Sequence, residues 1–353
     1  MKGTITIMPE SNSALVAMSG GVDSSVAAAL AQRDGLDCAG ATMVLYPGAD
    51  KVAEEARRAA EKLGLAFYVF DLTQHFAEQV IKPFINDYGE GRTPNPCVVC
   101  NKHLKFGAFL EKTIEMGRDH VVTGHYVQIE RDSNGRYLLK KGADTTKDQS
   151  YVLYTLTQKQ LAHIRFPLGG LTKSQVREIA LEIMPDKAQG TESQDICFIP
   201  DGDYAKFIVG YTGKKPQKGR FIDTNGNDFG ENNGIISYTV GQRRGLGLSM
   251  PHPPYVLELH PADNTVVIGK NEQLFSKSLQ ADCINFIPFE KLDSPFRGQV
   301  KIRYADPGHS ATVHQTDEDR LLIEFDEPQR AITKGQSAVI YDGDYVIGGG
   351  TIV

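Results

Sequence analysis

The sequence predicts an α/β protein in which a doubly wound parallel sheet is followed by a small β-rich domain and a C-terminal β-barrel. Over roughly the first 200 residues, short apolar runs alternate with helical patterns, which is typical of a parallel sheet with crossover helices. After about Gly202, short β-type runs and turns rich in Gly, Asn, Asp and Pro dominate. A chain of 353 residues has room for two or three domains, and we expect them at residues 1–205, 206–275 and 276–353.

The parallel sheet is predicted from four apolar runs and the helical patterns between them. The strands are expected at Ala14–Met18, Cys38–Tyr46, Ala66–Phe70 and His120–Thr123. The helices are expected at Val22–Arg33, Lys51–Leu63, Thr73–Tyr88 with a kink at Pro83, and His103–Met116. A β-hairpin with a turn at Asn134-Gly135 is expected next, with strands at Tyr126–Glu130 and Arg136–Lys140. Helical segments are then expected at Gln149–Leu156 and Lys173–Ile183. In the β-rich part, strands are expected at Ile235–Val240, Tyr255–Leu259, Thr265–Ile268, Gln299–Tyr304, Ala311–His314, Leu321–Phe325 and Ser337–Tyr341.

The composition is that of an ordinary globular protein, with 41% hydrophobic and 23% charged residues. We expect no membrane span, because no run of 18 apolar residues occurs. The segment Met1–Ser13 lacks the apolar stretch of a secretory signal. The five cysteines are odd in number and unevenly spaced, which argues against a disulfide framework and for a reducing, cytoplasmic location.

The charge is unevenly distributed along the chain. The net charge of −6 argues by itself against a nucleic-acid partner. Residues 206–250 nevertheless hold seven basic and three acidic side chains, and residues 91–110 hold Arg92, Lys102 and Lys105 and no acid. Such patches suit a polyanion that docks in one orientation, although charge alone leaves a solvated charged surface equally open.

The segment Ser19–Ser25 predicts an anion site. It lies between a buried strand and the start of a helix, where free N–H groups and the helix dipole favour negative charge. Gly20 and Gly21 allow close approach of the backbone to an anion. The serines add hydroxyl groups, and the Asp23 carboxylate suits Mg²⁺. The segment is not a Walker A loop, because it lacks the G-K-[ST] ending. The alternative is a glycine-rich turn without a ligand.

Three cysteines lie in segments with candidate chemistry. Cys97 and Cys100 form a C-x-x-C in the segment Gly91–Lys102, which we expect to be a stiff cationic loop. Redox chemistry, half a zinc site and part of an iron–sulfur site are all compatible with that pair. Cys197 follows a polar segment and precedes an apolar one, which favours a buried core cysteine. Core positions are also expected for Cys38 and Cys283, which lie in apolar runs.

Two further segments combine polar side chains near predicted element ends. His125 follows a parallel strand and so faces the ligand edge of the sheet, although a lone histidine there more often has a structural role. Lys147-Asp148-Gln149 places a cation, an anion and an amide at an apparent helix start, where capping is the simplest role.

Together these segments resemble one family, the tRNA-specific 2-thiouridylases, which are PP-loop ATP pyrophosphatases with the adenine nucleotide alpha-hydrolase-like fold. Ser19–Ser25 matches the pyrophosphate loop S-G-G-x-D-S-[ST]. The resemblance covers nearly the whole chain and is also carried by Gly91–Lys102, Thr123–Tyr126, Lys147–Tyr151, Ser193–Phe198, Thr239–Gly247, Lys301–Tyr304, Phe325–Pro328 and Gly335–Val339.

The resemblance implies a tRNA-uridine 2-sulfurtransferase that uses ATP and Mg²⁺. ATP would adenylate the C2 oxygen of the wobble uridine, and a persulfide on Cys197, loaded by a sulfur-relay protein or cysteine desulfurase, would supply the sulfur. Cys100 would end in a disulfide with Cys197, and Asp23 would serve the adenylation. The implied ATP-binding residues are Ala17, Met18, Ser19, Gly20, Gly21, Val22, Asp23, Ser24, Met43 and Gly124. The implied contacts to tRNA and its target base are Asn95, Pro96, Cys97, His125, Lys147, Asp148, Gln149, Arg303, Tyr304 and Gln336.

Position 97 departs from the pattern of many bacterial members, which carry Asp where this chain carries Cys97. The three thiols of Cys97, Cys100 and Cys197 suit a [4Fe–4S] cluster that would deliver sulfide without a persulfide relay. Two other classes compete with thiolation: an amide-forming synthetase with the same loop, and a non-catalytic RNA-binding or sulfur-carrying protein.

Overall fold

The computed structural model describes residues 12–186, 196–250 and 252–353. These residues form two compact units. The first unit comprises residues 12–77 and 100–186, and the second comprises residues 78–99, 196–250 and 252–353. The helices in these described residues are α1 Val22–Arg33, α2 Asp50–Lys62, α3 Thr73–Phe76, α4 Lys82–Gly89, α5 Pro96–Cys100, α6 Phe109–Glu115, α7 Gln158–Ala162, α8 Lys173–Ile183 and α9 Tyr204–Thr212. Wider π-helical turns occupy Ala77–Ile81 and Asn101–Ala108, and 3-10 turns occupy Ser150–Leu153, Ile235–Ser237 and Asn271–Leu274.

The first unit contains the predicted parallel sheet. Its strands and the following hairpin are β1 Ser13–Ala17, β2 Asp37–Val44, β3 Phe67–Asp71, β4 His120–Val122, β5 Val127–Arg131, β6 Tyr137–Lys141 and β7 Ile164–Arg165. The sheet order is β3-β2-β1-β4-β7 with every pair parallel, and β5 and β6 form the antiparallel hairpin. The α/β prediction is therefore confirmed.

The strand order sets the position of a crevice. From β1 the chain builds β2 and β3 on one side and then returns as β4 on the other side of β1. Such a topological switch point leaves a crevice at the carboxyl ends of the two central strands. Because Val16 pairs with Val122, the loops after β1 and β4 start at the same level of the sheet. Both predicted nucleotide segments therefore border one crevice.

Burial on both faces explains why the sequence of β1 is an unbroken apolar run. Ala14, Leu15 and Val16 are fully buried, as expected for a parallel strand covered on both faces. Ala14, Val16 and Met18 belong to one core cluster with side chains of α1, α2 and α8.

Three helix predictions need correction. The predicted helix Thr73–Tyr88 contains a wide turn at Ala77–Ile81, just before Pro83, which lacks an N–H and crowds the preceding turn. The helix predicted from His103 begins earlier, at Pro96, and so the expected loop around Cys97 and Cys100 is helical. The helix predicted over Gln149–Leu156 is only a 3-10 turn, Ser150–Leu153.

The second unit contains two β structures. The smaller sheet has the order β10-β11-β8-β9, and the barrel strands follow the order β12-β15-β14-β13-β16-β17. Every neighbouring pair in the barrel is antiparallel, and β12 also pairs with β17, which closes the barrel. The strands are β8 Gly219–Asp223, β9 Asp228–Asn232, β10 Tyr255–His260, β11 Thr265–Gly269, β12 Phe275–Phe286, β13 Phe296–Lys301, β14 His309–Asp317, β15 Arg320–Arg330, β16 Ser337–Asp342 and β17 Tyr345–Ile352.

The β-rich prediction is confirmed except at two segments. The strand expected at Ile235–Val240 is wrong, because Ile235–Ser237 forms a 3-10 turn after Gly234, whose φ is +91°. The strand expected at Gln299–Tyr304 ends at Lys301, because the Asp306 carboxylate accepts the Ile302 N–H at 2.9 Å and turns the chain. In the part of the chain that the structure describes, no helix combines the length and apolarity needed to span a membrane.

Candidate active site

The loop after β1 has the geometry of an open anion cradle. The hydroxyls of Ser24 and Ser25 donate to the Gly21 carbonyl at 3.2 and 2.9 Å, which fixes the loop against the first turn of α1. The N-cap residue is Gly21, which has no side chain to cover the first-turn N–H groups. A Cβ at Gly21 would meet only Ser19 Oγ, at 3.4 Å. The segment Ala17–Ser24 therefore fits the phosphates of a nucleotide.

Gly124 brings the end of β4 against this loop. A Cβ at Gly124 would lie 2.8 Å from the Asp23 carbonyl carbon and 2.9 Å from the Ser24 nitrogen, so only glycine permits this approach. On the other side, the Met18 N–H donates to the Ala41 carbonyl at 2.8 Å, and Met43 lies half-buried farther along β2. The expected nucleotide residues in the first unit therefore lie around one edge of the sheet.

Asp23 is held by two side chains that the sequence did not single out. Its Oδ1 accepts a hydrogen bond from the Tyr126 hydroxyl at 2.8 Å and an ion pair from Lys173 Nζ at 2.7 Å. The Lys173 side chain is only 10% exposed. Lys173 is the first residue of α8, a position where the helix dipole disfavours a cation. That unfavourable placement is the signal from which a partner for Lys173 could have been inferred.

His125 is buried beside a lysine. Its ring lies 5.8 Å from the rings of Phe106 and Phe166. Burial, with a smaller effect from Lys105, holds the pKa of His125 well below its usual 6.5. Nε2 lies 3.5 Å from Lys105 Nζ, and Nδ1 lies 2.7 Å from Thr123 Oγ1. Since an ammonium only donates, Nε2 accepts, and the proton is on Nδ1.

The buried neutral imidazole predicts a pH dependence of stability. Below about pH 6.5 the unfolded chain protonates His125 and the folded chain does not, so the unfolded state binds more protons. We expect the free energy of unfolding to fall as the pH is lowered, by up to about 1.4 kcal/mol per pH unit from this group. Denaturant unfolding between pH 7 and 5 should show a steeper loss for the wild type than for His125→Gln. Equal slopes would contradict the assignment.

Cys97 and Cys100 lie on one short helix. They are three residues apart on α5, a spacing that places side chains on the same face. Cys97 is exposed and Cys100 is half-buried. Asn95 precedes the helix, and its Oδ1 accepts the Cys97 N–H at 3.1 Å, so Asn95 and Pro96 define the start of α5.

Cys197 lies on a turn in the second unit, with an exposed side chain. The prediction of a core cysteine is therefore wrong. The apolar neighbours have another role: Phe198 packs against Phe84 and Phe207 with ring centroids 5.5 and 5.1 Å away. Phe198 anchors the turn and leaves the thiol at the surface. The preceding residues 187–195, which include the first three residues of the matched segment Ser193–Phe198, lie outside the described residues.

The other two cysteines differ from each other. Cys38 is half-buried, and burial raises the pKa of its thiol to about 11, so it stays protonated. Cys283 is exposed where the pairing register shifts between Asp282 and Asn285, so its predicted core position is wrong. None of the five cysteines forms a disulfide bond. Within residues 12–186, 196–250 and 252–353, no three Cys, His, Asp or Glu side chains are grouped as metal ligands.

Several expected tRNA contacts make internal hydrogen bonds. Asp148 Oδ1 accepts the N–H groups of Gly142 and Ser150, both at 3.1 Å. Gln149 Oε1 accepts the Tyr126 N–H at 3.0 Å. The Lys147 N–H donates to the Asp144 carbonyl at 3.0 Å. These bonds shape the segment that leads to Ser150–Leu153.

The second unit holds the remaining expected contacts. Arg303 and Tyr304 are exposed on the turn after β13, and Tyr304 is 46% exposed. An exposed cation beside an exposed aromatic ring suits RNA phosphate and base stacking. Gln336 differs, because its Nε2 donates to the Thr93 carbonyl at 2.6 Å and ties the segment before α5 to the barrel.

Known proteins are similar to this chain over nearly its whole length. The family model described as tRNA methyl transferase HUP domain matches residues 12–201, the tRNA methyl transferase PRC-barrel domain matches residues 205–270, and the Aminomethyltransferase beta-barrel domain matches residues 276–352. The tRNA-specific 2-thiouridylase MnmA of Clostridioides difficile (strain 630) is 49% identical over 350 residues, which cover 96% of this chain and 97% of that protein. The tRNA-specific 2-thiouridylase MnmA of Acetivibrio thermocellus is 46% identical over 352 residues, with 96% and 98% coverage.

Proposed function

We propose a reaction from one premise: the chain belongs to the tRNA-specific 2-thiouridylase family. The protein is an ATP-dependent enzyme that replaces the C2 oxygen of a tRNA uridine with sulfur, and the target is the wobble uridine. The observation that carries this proposal is the open loop Ser19–Ser25 at the β1/β4 crevice, in a chain that also presents Cys197 at its surface. We propose the cytoplasm as the location of the reaction, which a tRNA substrate and five cysteines without a disulfide support.

The first half-reaction activates the base. The uridine O2 attacks the α-phosphorus of ATP, an O–P bond forms, and the bond to pyrophosphate breaks. The first-turn amides of α1 and the cation Lys173 support this step, because both offer positive charge to the departing pyrophosphate. Mg²⁺ would bind mainly to the phosphates, since Asp23 offers one carboxylate whose Oδ1 already has two partners.

The second half-reaction transfers sulfur. The terminal sulfur of a persulfide on Cys197, delivered by a donor protein, attacks C2, and the C2–O bond breaks as AMP leaves. The Cys100 thiolate then attacks the Cys197 sulfur. The persulfide S–S bond breaks, thiouridine departs with the terminal sulfur, and a Cys100–Cys197 disulfide remains for a thiol reductant. The exposed Cys197 supports loading by another protein.

The alternative route through a [4Fe–4S] cluster has weaker support. That route needs three thiolates on one cluster, whereas the persulfide route needs only that the exposed Cys197 be loaded by another protein. Cys97 therefore enters the proposal as a residue next to the target base, at the start of α5 with Asn95 and Pro96.

The tRNA contacts divide into two kinds. Arg303, Tyr304 and Lys147 would touch the RNA directly. Asp148, Gln149 and Gln336 have internal hydrogen bonds, so we propose that they shape the segments that touch it. His125 is 7% exposed, and its two ring nitrogens already contact Lys105 and Thr123. The three functional regions are residues 1–205 for catalysis, 206–275 for tRNA binding and 276–353 for the barrel.

Reconstitution tests this function directly. The full chain would be incubated with ATP, tRNA and a persulfide-loaded cysteine desulfurase, and the digested tRNA would be analysed by nucleoside mass spectrometry. We expect 2-thiouridine together with tRNA-dependent release of AMP and pyrophosphate. ATP cleavage with ammonia but without tRNA would favour an amide-forming synthetase. Absence of any pyrophosphate release would favour a binding protein.

A further inference from the structure

Lys105 is a half-buried cation in an unusual setting. Among the residues that the structure describes, it has no carboxylate partner, and its Nζ contact is the imidazole Nε2 of His125 at 3.5 Å. A neutral imidazole accepts a hydrogen bond but does not balance the charge. A partly desolvated ammonium is stabilised when an anion binds next to it. The surroundings of Lys105 therefore favour the binding of an anionic ligand.

The position of Lys105 in the first unit indicates which anion. His125 follows Gly124, which packs against the Asp23–Ser24 backbone of the nucleotide loop. Lys105 also lies five residues after Cys100 in a π-helical turn, where residues five apart close one turn. The Lys105 ammonium contacts His125, which is the neighbour of the loop-packing residue Gly124, and Lys105 lies one helical turn after Cys100. In the proposed reaction, the group that joins nucleotide and reacting base is the α-phosphate.

We propose that Lys105 binds the α-phosphate of the nucleotide and that His125 is the positioning residue that aims its ammonium. This proposal rests on the proposed function and adds to it a phosphate ligand that the sequence did not reveal. Thr123 Oγ1 fixes the imidazole by accepting from Nδ1–H at 2.7 Å, and the rings of Phe106 and Phe166 hold it in place. His125 then acts within the protein and not as a direct contact to tRNA.

The test compares two probes that differ by the phosphate, AMP and adenosine, in calorimetric titrations of the full chain without tRNA. Lys105→Met keeps the length of the stem and removes the charge. We expect AMP affinity to fall about tenfold and adenosine affinity to stay within about twofold. Lys102→Met is the matched control, because Lys102 is exposed on the same helical segment and its loss should leave AMP affinity unchanged.

His125→Leu tests the positioning role. It should weaken AMP binding in the wild-type background and have no further effect in Lys105→Met, because the two residues act as one unit. His125→Gln, which retains an acceptor, should restore most of the loss. An equal loss from His125→Leu in both backgrounds would overturn the positioning role.

Three outcomes would overturn the phosphate assignment. They are unchanged AMP affinity in Lys105→Met, equal weakening of AMP and adenosine, and weaker tRNA binding with a shallower salt dependence while AMP binding is intact, which would make Lys105 an RNA contact. The titrations need neither tRNA nor sulfur. A failure of thiolation in the reconstitution would therefore be distinguishable from a failure of this proposal.

Discussion

Replacing Cys197 with serine is expected to abolish thiolation of tRNA and to leave tRNA-dependent pyrophosphate release intact. A hydroxyl cannot carry a persulfide, so the second half-reaction loses its nucleophile while the nucleotide site in the first unit is untouched. The side chain is exposed and the turn is anchored by Phe198, which is 8% exposed, so the stability change should stay within about 0.5 kcal/mol. Nucleoside mass spectrometry and a pyrophosphate assay on one reaction give both readouts.

Cys283→Ser is the matched control, because Cys283 is an exposed thiol, not in a disulfide, on a barrel strand outside the proposed site. It should retain full thiolation, which excludes a general effect of thiol loss. Thiolation by Cys197→Ser at the wild-type rate would remove Cys197 from the mechanism. Loss of pyrophosphate release together with thiolation would show that Cys197 also serves adenylation.

The sequence predicts an element correctly where the local hydrophobic pattern matches the burial of that element in the fold. The run Ala14–Met18 predicts β1 because a strand covered on both faces must be apolar at every position. The strands β8 and β9 escaped prediction because Gly219–Asp223 and Asp228–Asn232 are polar and only half face the small core. The Asn225-Gly226 pair between them has the composition of a turn, but a turn alone does not specify its strands.

Apolar neighbours led to the wrong prediction that Cys197 and Cys283 are buried. The apolar residues Phe198 and Ile199 suggested that Cys197 is buried with them. Both side chains are buried, but they hold a turn on which Cys197 is exposed. At Cys283 the cause is a register shift in β12, which reverses the face to which a side chain points. Neither the turn at Cys197 nor the register shift at Cys283 can be recognised from the hydrophobicity of the neighbouring residues.

The partners of the nucleotide loop are distant in sequence. Asp23 and Lys173 are 150 positions apart, and they meet only because the switch point brings the loops after β1 and β4 and the start of α8 together. Lys105 and His125 depend on the same topology. A single sequence identifies the loop by its glycines and serines, but it does not identify side chains that reach the loop from other elements.

Replacing Asp23 with alanine is expected to lower the rate of tRNA-dependent pyrophosphate release at least 100-fold, with tRNA affinity unchanged. The loss has two parts. The loop loses its carboxylate. Lys173, which is 10% exposed, loses the Asp23 Oδ1 acceptor that lies 2.7 Å from its Nζ and orients its ammonium group. A misplaced cation no longer stabilises charge on the departing pyrophosphate, an effect that amounts to about 3 kcal/mol for a typical preorganised donor.

Lys173→Met should therefore reproduce most of this loss, and the double variant Asp23→Ala/Lys173→Met should be no slower than the slower single variant, since the two residues act as a pair. Lys82→Met is a matched control: Lys82 also forms an ion pair, with Glu78, but it is exposed on α4 in the second unit. Pyrophosphate release by rapid quench and tRNA binding by filter retention separate the two half-reactions from RNA docking. If the losses in the double variant multiply, Asp23 and Lys173 act independently, and the ion pair is a feature of the fold without a role in adenylation.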